Sequence, residues 1–521
     1  MRWMVYIALS SLLLGCRTIN PSVARPESRS LASPGTTSLG RLYADAQAHH
    51  PGQSGFRLLE YGPEALMARA AMVDRAGQTL DLQYYIYDPG KVGHALTQRL
   101  LEAADRGVRV RLLLDDNNQG DDRPLIVLAS HPNIEVRVFN PFRYRARWMR
   151  IPQYLTDLNR INRRMHNKII VADNQLAILG GRNIGDSYFD ISEEGNLRDF
   201  DVLIAGPLVR QASVAFDEFW NSPWALPAQA LSSKPVAPDE LAELRRSLQD
   251  RVFGVPGNRE KYDALRDEYT REVLENPHHL VWANGEVIWD SPDKMTKTSP
   301  ETTRVARRIE QEFDACQQEL LIESGYFIPG REGLKQLETL EEEGVQVKVL
   351  TSALEATDQP LVYSAYRRYR KDLLRAGVEI HEYKMQTRLS PGTKRWFVPR
   401  SALSSLHAKV MVFDHRRVWI GSFNLDARSV WYNTEIAALI YSPELAAQLE
   451  RNVLDDFTAE RSWQVVLELP PAGSADARER LKWVGERHGV ALELDREPAH
   501  NWWQRFRADF YSLFPGVENL L

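Results

Sequence analysis

The 521-residue chain is poor in the groups on which disulfide scaffolds and many metalloenzymes are built. It has two cysteines, Cys16 and Cys316, so there is no disulfide framework and no CxxC metal pair. HExxH is missing as well, and nothing in the sequence asks for a metal or another cofactor. Excess positive charge is also lacking. With 65 Lys and Arg against 70 Asp and Glu the net charge is -5, and without a global basic field nucleic acid is not expected as a partner. Long apolar runs are scarce too. The one at the start, Trp3 to Leu14, is too short to span a bilayer comfortably. What remains is an ordinary globular composition, 43% apolar and 26% charged, long enough for two large domains or about three of usual size.

Against this plain background one pattern stands out because it occurs twice. MHNKIIVADNQLAILGGRNIGD (Met165 to Asp186) returns as LHAKVMVFDHRRVWIGSFNLDA, with His, Lys, Asp, Gly, a small residue and Asn at offsets 0, 2, 7, 14, 15 and 17 from the His. The first set is His166, Lys168, Asp173, Gly180, Gly181 and Asn183; the second is His407, Lys409, Asp414, Gly421, Ser422 and Asn424. Twelve His occur, and no other is followed by Lys two residues on and Asp seven on. A lone His-x-Lys would read as surface decoration or a satisfied core histidine. Two copies with six shared offsets reverse that reading.

The spacing also makes chemical sense. Residues i and i+2 of a strand share a face, so His and Lys project together, an imidazole beside an ammonium, suited to a phosphate ester. Asp-Asn-Gln and Asp-His-Arg-Arg then break each apolar run and turn it into a second one, so each motif reads as a hairpin. Asp173 and Asp414 sit at the turns, where bracing is expected. Gly180, Gly181, Gly421 and Ser422 are expected to let backbone approach a ligand, and Asn183 and Asn424 to donate to phosphate oxygens.

The motifs lie in a repeated α/β context. From Phe56 on, helical stretches (Pro63 to Ala76, Val92 to Ala104) alternate with β-rich runs (Leu80 to Tyr87, Val108 to Leu114, Ile134 to Phe139). Glu319 to Phe327, Gly333 to Glu343, Val345 to Thr351 and Glu379 to Tyr383 repeat that order before the second motif. The βαβ rhythm predicts, in each half, a mostly parallel mixed sheet flanked by helices, and the duplication lets two hairpins meet in one composite site. The expected division is a signal peptide over 1–15, a flexible Ser/Pro/Arg-rich tether over 16–50, a first domain over 51–220, a linker and charged helical arm over 221–300, a second domain over 301–460 and a C-terminal extension over 461–521. His278 and His279 read as a solvated pair.

HxKx4D in two copies is the signature of the phospholipase D superfamily. The chain from about residue 56 onward resembles the bacterial cardiolipin synthases of the C type through DLQYYIY, AADRGVRVRLLLDD, HPNIEVRVFNPF, GGRNIGDSYF, ESGYFIPG and GSFNLDARS. The resemblance implies two phospholipase D-like domains sharing one active site, in which one His becomes a phosphohistidine and the other serves as acid and base. His166 is the expected nucleophile and His407 the acid/base, with the reverse assignment open. Lys168, Lys409, Asn183 and Asn424 would stabilise phosphoryl oxygens. An acidic residue orients the His in this superfamily; here it is Asp199 in NLRDFDVLI and Glu435 in YNTEIAALI. The implied activity is phosphatidyl transfer between phospholipids such as phosphatidylglycerol, with phosphatidylethanolamine as a further candidate. Hydrolysis by a phospholipase D or another phosphodiesterase is the alternative, a nuclease or a non-catalytic lipid-binding lipoprotein less so.

Leu13-Leu14-Gly15-Cys16 resembles a lipobox, which implies lipidation of Cys16 and anchoring in a bacterial envelope, facing the periplasm. Phe142 to Arg150 (FRYRARWMR), with Arg160, Arg163 and Arg164 after it, reads as a lipid-facing basic and aromatic approach to His166, the two last arginines as phosphate contacts. Trp503, Phe506, Phe510, Leu513 and Phe514 recur at helical spacing; core packing is the default reading and an interfacial helix the alternative.

Overall fold

The computed structural model describes residues 19–117, 120–253, 258–387, 403–470 and 479–513. Cys16, the segment before it and Phe514 lie outside the described residues. The strands are β1 (Ser54–Leu59), β2 (Thr79–Tyr84), β3 (Arg109–Asp115), β4 (Ile134–Phe139), β5 (Ile169–Ala172), β6 (Leu176–Gly180), β7 (Asn196–Arg198), β8 (Asp201–Ala205), β9 (Ala225–Pro227) and β10 (Val281–Trp289). The second half continues with β11 (Glu319–Ser324), β12 (Gln346–Ser352), β13 (Glu379–Tyr383), β14 (Gln386–Thr387), β15 (Leu403–Leu406), β16 (Lys409–Phe413), β17 (Arg417–Gly421), β18 (Ile436–Tyr441), β19 (Ser462–Glu468), β20 (Arg480–Arg487) and β21 (Val490–Leu494).

The first half forms a mixed sheet in the order β9-β4-β3-β2-β5-β6-β8-β1, and the second repeats it as β19-β13-β12-β11-β16-β17-β18-β10. Within these two sheets β2-β3-β4 and β11-β12-β13 run parallel and the ladders that flank them are antiparallel. The parallel strands come from the βαβ units, whose crossovers are helices such as Lys91–Asp105, which buries Val92, Leu96, Leu100 and Leu101. That helix is followed by Gly107 at φ +93, a left-handed value that glycine takes without strain. The antiparallel strands come from the motif hairpins. Asp173 and Asn174, and likewise Asp414 and His415, have φ between 52 and 58, as the two central residues of a type I′ turn require.

Within each hairpin the alternation of faces decides which core a side chain enters. Val171 of β5 and Val410 and Val412 of β16 point into a core shared by the two halves, together with Leu179, Val202, Ile204, Val418 and Ile420. Their neighbours Ile170 and Ala172, or Met411 and Phe413, fill the private core of their own half. The motif strands are therefore the packing surface between the repeats.

Three boundary expectations are corrected. Residues 19–50 are not a free tether. Ser38–His49 is a helix whose Leu39 and Tyr43 are buried, with the Tyr43 hydroxyl donating to Leu274 O at 2.8 Å. Upstream, the backbone is held by Ile19 N to Arg143 O, and Arg111 donates to Ser28 O. The low-complexity composition hid an apolar stripe of one residue per turn. Residues 221–300 are not merely linker and arm, for β9 completes the first sheet and β10 pairs with both β1 and β18, joining the halves into one continuous sheet of eighteen strands among the described residues. Residues after 461 are not simply an extension, because β19 is the second half's counterpart of β9. His278 and His279 are exposed, in a short turn. No described helix is long and apolar enough to cross a membrane.

A buried ion pair ties the repeats together beside this seam. Arg198 reaches from the first half to Glu323 and, at 2.7 Å, to Asp456 in the second, all three nearly inaccessible to solvent. Removing one member of such a network strands the others without a counter-charge. Arg198→Ala is expected to cost roughly 3–5 kcal/mol of stability, read as a shift of the denaturant midpoint.

Candidate active site

Two short pairings across the halves bring the motifs together. β15 runs parallel to β7, Leu406 opposite Arg198, and His407 N donates to Arg198 O at 2.8 Å. On the other side Met165 bridges Thr434, and His166 N donates to Thr434 O at 2.9 Å. Each His thereby meets the carboxylate that directly follows its backbone partner in the opposite half, Asp199 after Arg198 and Glu435 after Thr434. His407 Nδ1 lies 2.6 Å from Asp199 Oδ2, and His166 Nδ1 lies 2.9 Å from Glu435 Oε2. The braces are exchanged between the repeats. With Nδ1–H donated to a carboxylate, Nε2 of each imidazole is left for chemistry.

The lysines complete a buried cluster. Lys168 Nζ donates to His166 O, and Lys409 Nζ donates to His407 O while lying 3.0 Å from His407 Nδ1. Burial lowers both ammonium pKa values, strongly for Lys168. It also pushes His166 well below the ordinary imidazole value, helped by Lys168, Lys409, His407 and Arg428. His407 is lowered by burial and by Lys409 but raised by Asp199. The two carboxylates diverge. Burial lifts Glu435 to about 6 despite Lys168 and Ser422, whereas for Asp199 the pull of Lys409 and His407 outweighs burial and leaves it below the carboxylate range.

Asp173 and Asp414 brace rather than react. Asp173 accepts from the backbone N–H groups of Gly77, Gln78 and Thr79, and Asp414 from those of Gln317 and Gln318, tying each hairpin turn to the start of the neighbouring strand. Asn183 is largely spent within the protein, accepting from Ile86 N and donating to the Tyr188 hydroxyl. Asn424 keeps its side-chain oxygen buried without a partner.

The residues expected to cradle a ligand have other tasks. A Cβ on Gly181 would overlap the Asp199 carboxylate, one on Gly180 would overlap Asp201, and one on Gly421 would meet Ala437 and Ile436 O. These glycines make room for the opposing strand and for the carboxylate that serves the other half's His, not for substrate. Ser422 donates to Glu435 Oε2 and so orients that brace. Arg163 gives its guanidinium to Lys294 O, Thr298 Oγ1 and Trp431 O. Arg164 is buried against Asp115 at 3.4 Å and Asn140 O. Both arginines are consumed by internal acceptors, because carbonyls at the seam of the halves need donors once water is excluded.

Several site residues were not singled out from the sequence. Tyr85 stands edge-on to His166 at 5.0 Å, and Tyr188 and Tyr326 to His407 at 5.3 and 5.7 Å. Arg428 donates to Asn162 and adds positive charge at His166. Behind Glu435, Asp290 accepts from its backbone N–H and pairs with Lys294 at 2.7 Å, while Lys294 also donates to Ser429 O. These two lie in the stretch read as an arm, and no local pattern marked them. Away from the histidines, Glu319, His415 and Glu450 hold their ligand atoms within 4.8 Å of one another at the β16-β17 turn, with Glu319 already paired to Lys348.

The family described as "Cardiolipin synthase, PLD-like domain" matches residues 70–220 and 309–456, one range in each half and each carrying one HxKx4D motif. The chain belongs to this family of the phospholipase D superfamily. "Cardiolipin synthase C" of Escherichia coli (strain K12) is 36% identical over 484 residues, covering 91% of this chain and 98% of that protein. An uncharacterized protein of Helicobacter pylori (strain ATCC 700392 / 26695) is 31% identical, covering 93% of each, and a "Cardiolipin synthase" of Geobacillus kaustophilus is 27% identical, covering 77% of this chain and 65% of that one. In fold the chain is similar to the crystal structure of phosphatidylserine synthase from Haemophilus influenzae Rd KW20, at a TM-score of 0.53 and 13% identity, over 81% of this chain and 92% of that one. The two matched ranges are the two repeats whose motifs the geometry brings together.

The raised Glu435 carboxyl sets an acid limit. Above about 6 it is ionised and accepts Nδ1–H of His166; below, it gains a proton and the brace weakens. The turnover rate is expected to fall as pH drops through about 6, and Glu435→Gln should be slow at every pH and lose that limb. Asp199→Asn should be slow while keeping the limb. A pH-rate profile of the two variants beside the parent checks both.

Proposed function

We infer that this chain is a phosphatidyltransferase of the cardiolipin synthase type. The observation that carries the reading is the exchange of braces, which fixes Nδ1 of each imidazole on a carboxylate of the other half and keeps Nε2 of both off the carboxylates in one buried centre, with Lys409 beside that of His407. In the first step Nε2 of His166 attacks the phosphorus of a phosphatidyl donor. The bond from phosphorus to the leaving alcohol breaks, and His407, which enters the step as an imidazolium with Nδ1–H kept on Asp199, gives the alcohol its Nε2 proton and becomes the neutral base of the second step. In the second step His407 takes the proton of an incoming hydroxyl, whose oxygen attacks phosphorus as the phosphorus–nitrogen bond to His166 breaks. Lys168 and Lys409 face the oxygens on which negative charge gathers.

The assignment of roles follows from charge. A nucleophile must be neutral, and His166 is the more strongly depressed imidazole. A general acid must hold a proton, which the ionised Asp199 favours on His407. Water competes for the phosphohistidine, so transfer requires a lipid hydroxyl held in attack position, an orientation advantage worth up to roughly 7–11 kcal/mol. The burial of both histidines suits that exclusion of water. Phosphatidylglycerol, alone or with phosphatidylethanolamine, is the substrate proposed. The site works at a membrane surface in the bacterial envelope, to which the lipobox at Cys16 would anchor the chain.

His166→Ala and His407→Ala are each expected to lower turnover of labelled phosphatidylglycerol vesicles by at least about a thousandfold. The parent should form cardiolipin in preference to phosphatidic acid, as resolved by chromatography of the lipids. Phosphatidic acid as the main product at every acceptor level would instead make the protein a phospholipase D. DNA cleavage without lipid turnover would overturn both lipid readings.

For the anchor, Cys16→Ser should abolish incorporation of labelled fatty acid and release the protein from the membrane fraction. Label retained on the Ser variant removes the anchor from the proposal.

A further inference from the structure

Large apolar side chains are exposed in two concentrations. The first is the turn Arg147–Met149 with the helix Arg150–Thr156 and its continuation, where Trp148, Ile151, Leu155 and Leu158 face solvent, Leu155 at 83% of its surface. Ile151 and Leu155 lie one turn apart on the outer face of Arg150–Thr156, and Leu158 opens the next short helix, Leu158–Ile161. The inner side is held by buried Gln153, whose amide donates to Tyr144 O and Met149 O. The chain then runs through Arg163 and Arg164 straight into His166.

The second is the helix Trp502–Ser512. Its buried side is the small or polar pair Gln504 and Ala508, which bonds Leu354 O and Ser364 Oγ. Its outward side carries Trp502, Trp503, Phe506 and Phe510, with Leu513 beyond, each about half exposed or more. This overturns core packing as the reading of that stripe. The loop under the helix continues to Asp358, which accepts from the hydroxyl of Tyr326 at 2.8 Å, the ring that stands against His407. The second surface thus reaches His407 through this loop, and the first leads to His166 along the chain.

Scattered exposed apolar residues are ordinary, but a mainly aliphatic cluster just before the first motif and an aromatic one packed over the loop that leads to Tyr326 are an interaction surface. The occupant is indicated by charge. Residues 142–164 hold seven arginines and a single acid, Asp157, in a chain of net charge -5; Arg145, Arg160, Arg163 and Arg164 bond inside the protein, while Arg143 stays two-thirds exposed beside the first stripe and Arg507 is exposed on the second helix. We propose that these two helices dock the enzyme on an anionic phospholipid bilayer, their aromatic and aliphatic side chains entering the headgroup boundary with arginines on the phosphates around them. The inference rests on the phosphatidyltransferase reading, since the substrate's acyl chains stay in the bilayer while its phosphate reaches Nε2 of His166.

Environment-sensitive dyes placed on full-length Leu155→Cys and, separately, Phe510→Cys test the surface without depending on activity. Both dyes should shift to the blue and be quenched by brominated acyl chains when phosphatidylglycerol vesicles are added, and respond less to phosphatidylcholine. Ile151→Glu/Leu155→Glu and Phe506→Glu/Phe510→Glu should each turn over vesicle phosphatidylglycerol about tenfold more slowly, yet keep the parent rate on monomeric short-chain phosphatidylglycerol. Dyes that ignore vesicles at both positions, or full vesicle turnover by both charged variants, overturn the proposal. So does lipid-free pairing of chains that the charged substitutions abolish, which would give the surfaces to a second copy. Insertion with no turnover of any phosphatidylglycerol leaves the docking face standing and sinks the transferase reading.

Discussion

Everything in the arrangement depends on two imidazole–carboxylate contacts that each cross between the repeats. His166 belongs to the first half and Glu435 to the second; His407 belongs to the second and Asp199 to the first. All four groups are buried, so a half on its own would expose or strand an ionised carboxylate and leave an imidazole free to rotate. Neither repeat can make a working centre. The shared apolar core of the motif hairpins, the β1-β10 junction and the Arg198 ion pairs all hold the halves in the one register where those contacts close.

Duplication supplied two equivalent positions, and divergence made them unequal. On one side Gly181 leaves space for the short Asp199 side chain; on the other Ser422 and Ser429 donate to the longer Glu435. Arg182 lies behind Asp199 through its carbonyl, whereas the Asp290–Lys294 pair lies behind Glu435. Tyr188 in the first motif, edge-on to His407, corresponds to Ser429 in the second, a hydroxyl turned onto Glu435. The two carboxylates depart from their ordinary values in opposite directions: burial raises Glu435 in spite of its serine donors and Lys294, whereas at Asp199 burial is outweighed by Lys409, His407 and Arg182. A nucleophile and an acid/base need such a separation.

The same economy appears at the periphery. Arginines before the first motif, attractive as phosphate contacts when read along the chain, are spent on carbonyls and carboxylates at the seam, and it is the apolar residues between them that face outward. Burial of the chemistry and exposure of apolar side chains beside it are complementary. The centre must exclude water while its substrate's chains remain in an apolar phase.

The motifs, the duplication and the hairpins were legible because they rest on local rules. A strand places i and i+2 on one face, Asp-Asn and Asp-His tolerate the left-handed turn, and alternation of helix and strand gives parallel ladders. Asp199 and Glu435 were legible as acids near the site, but not which histidine each would serve, since partners 208 and 269 positions apart are chosen only when the halves dock. The tether and arm were misread for the same reason: Leu39, Tyr43 and β10 acquire their place from surfaces far away in sequence. The stripe after Trp502 shows the limit plainly. Periodicity identified an apolar face, yet Gln504 took the contact with Leu354 O and Ala508 the one with Ser364, because an amide and a small side chain fit that close approach, and the aromatics stayed half exposed. The sequence by itself determined the chemistry of the groups and their local geometry; the tertiary structure alone decided which buried charges face each other and which apolar surface stays uncovered, because both depend on energies summed over contacts that no local pattern contains.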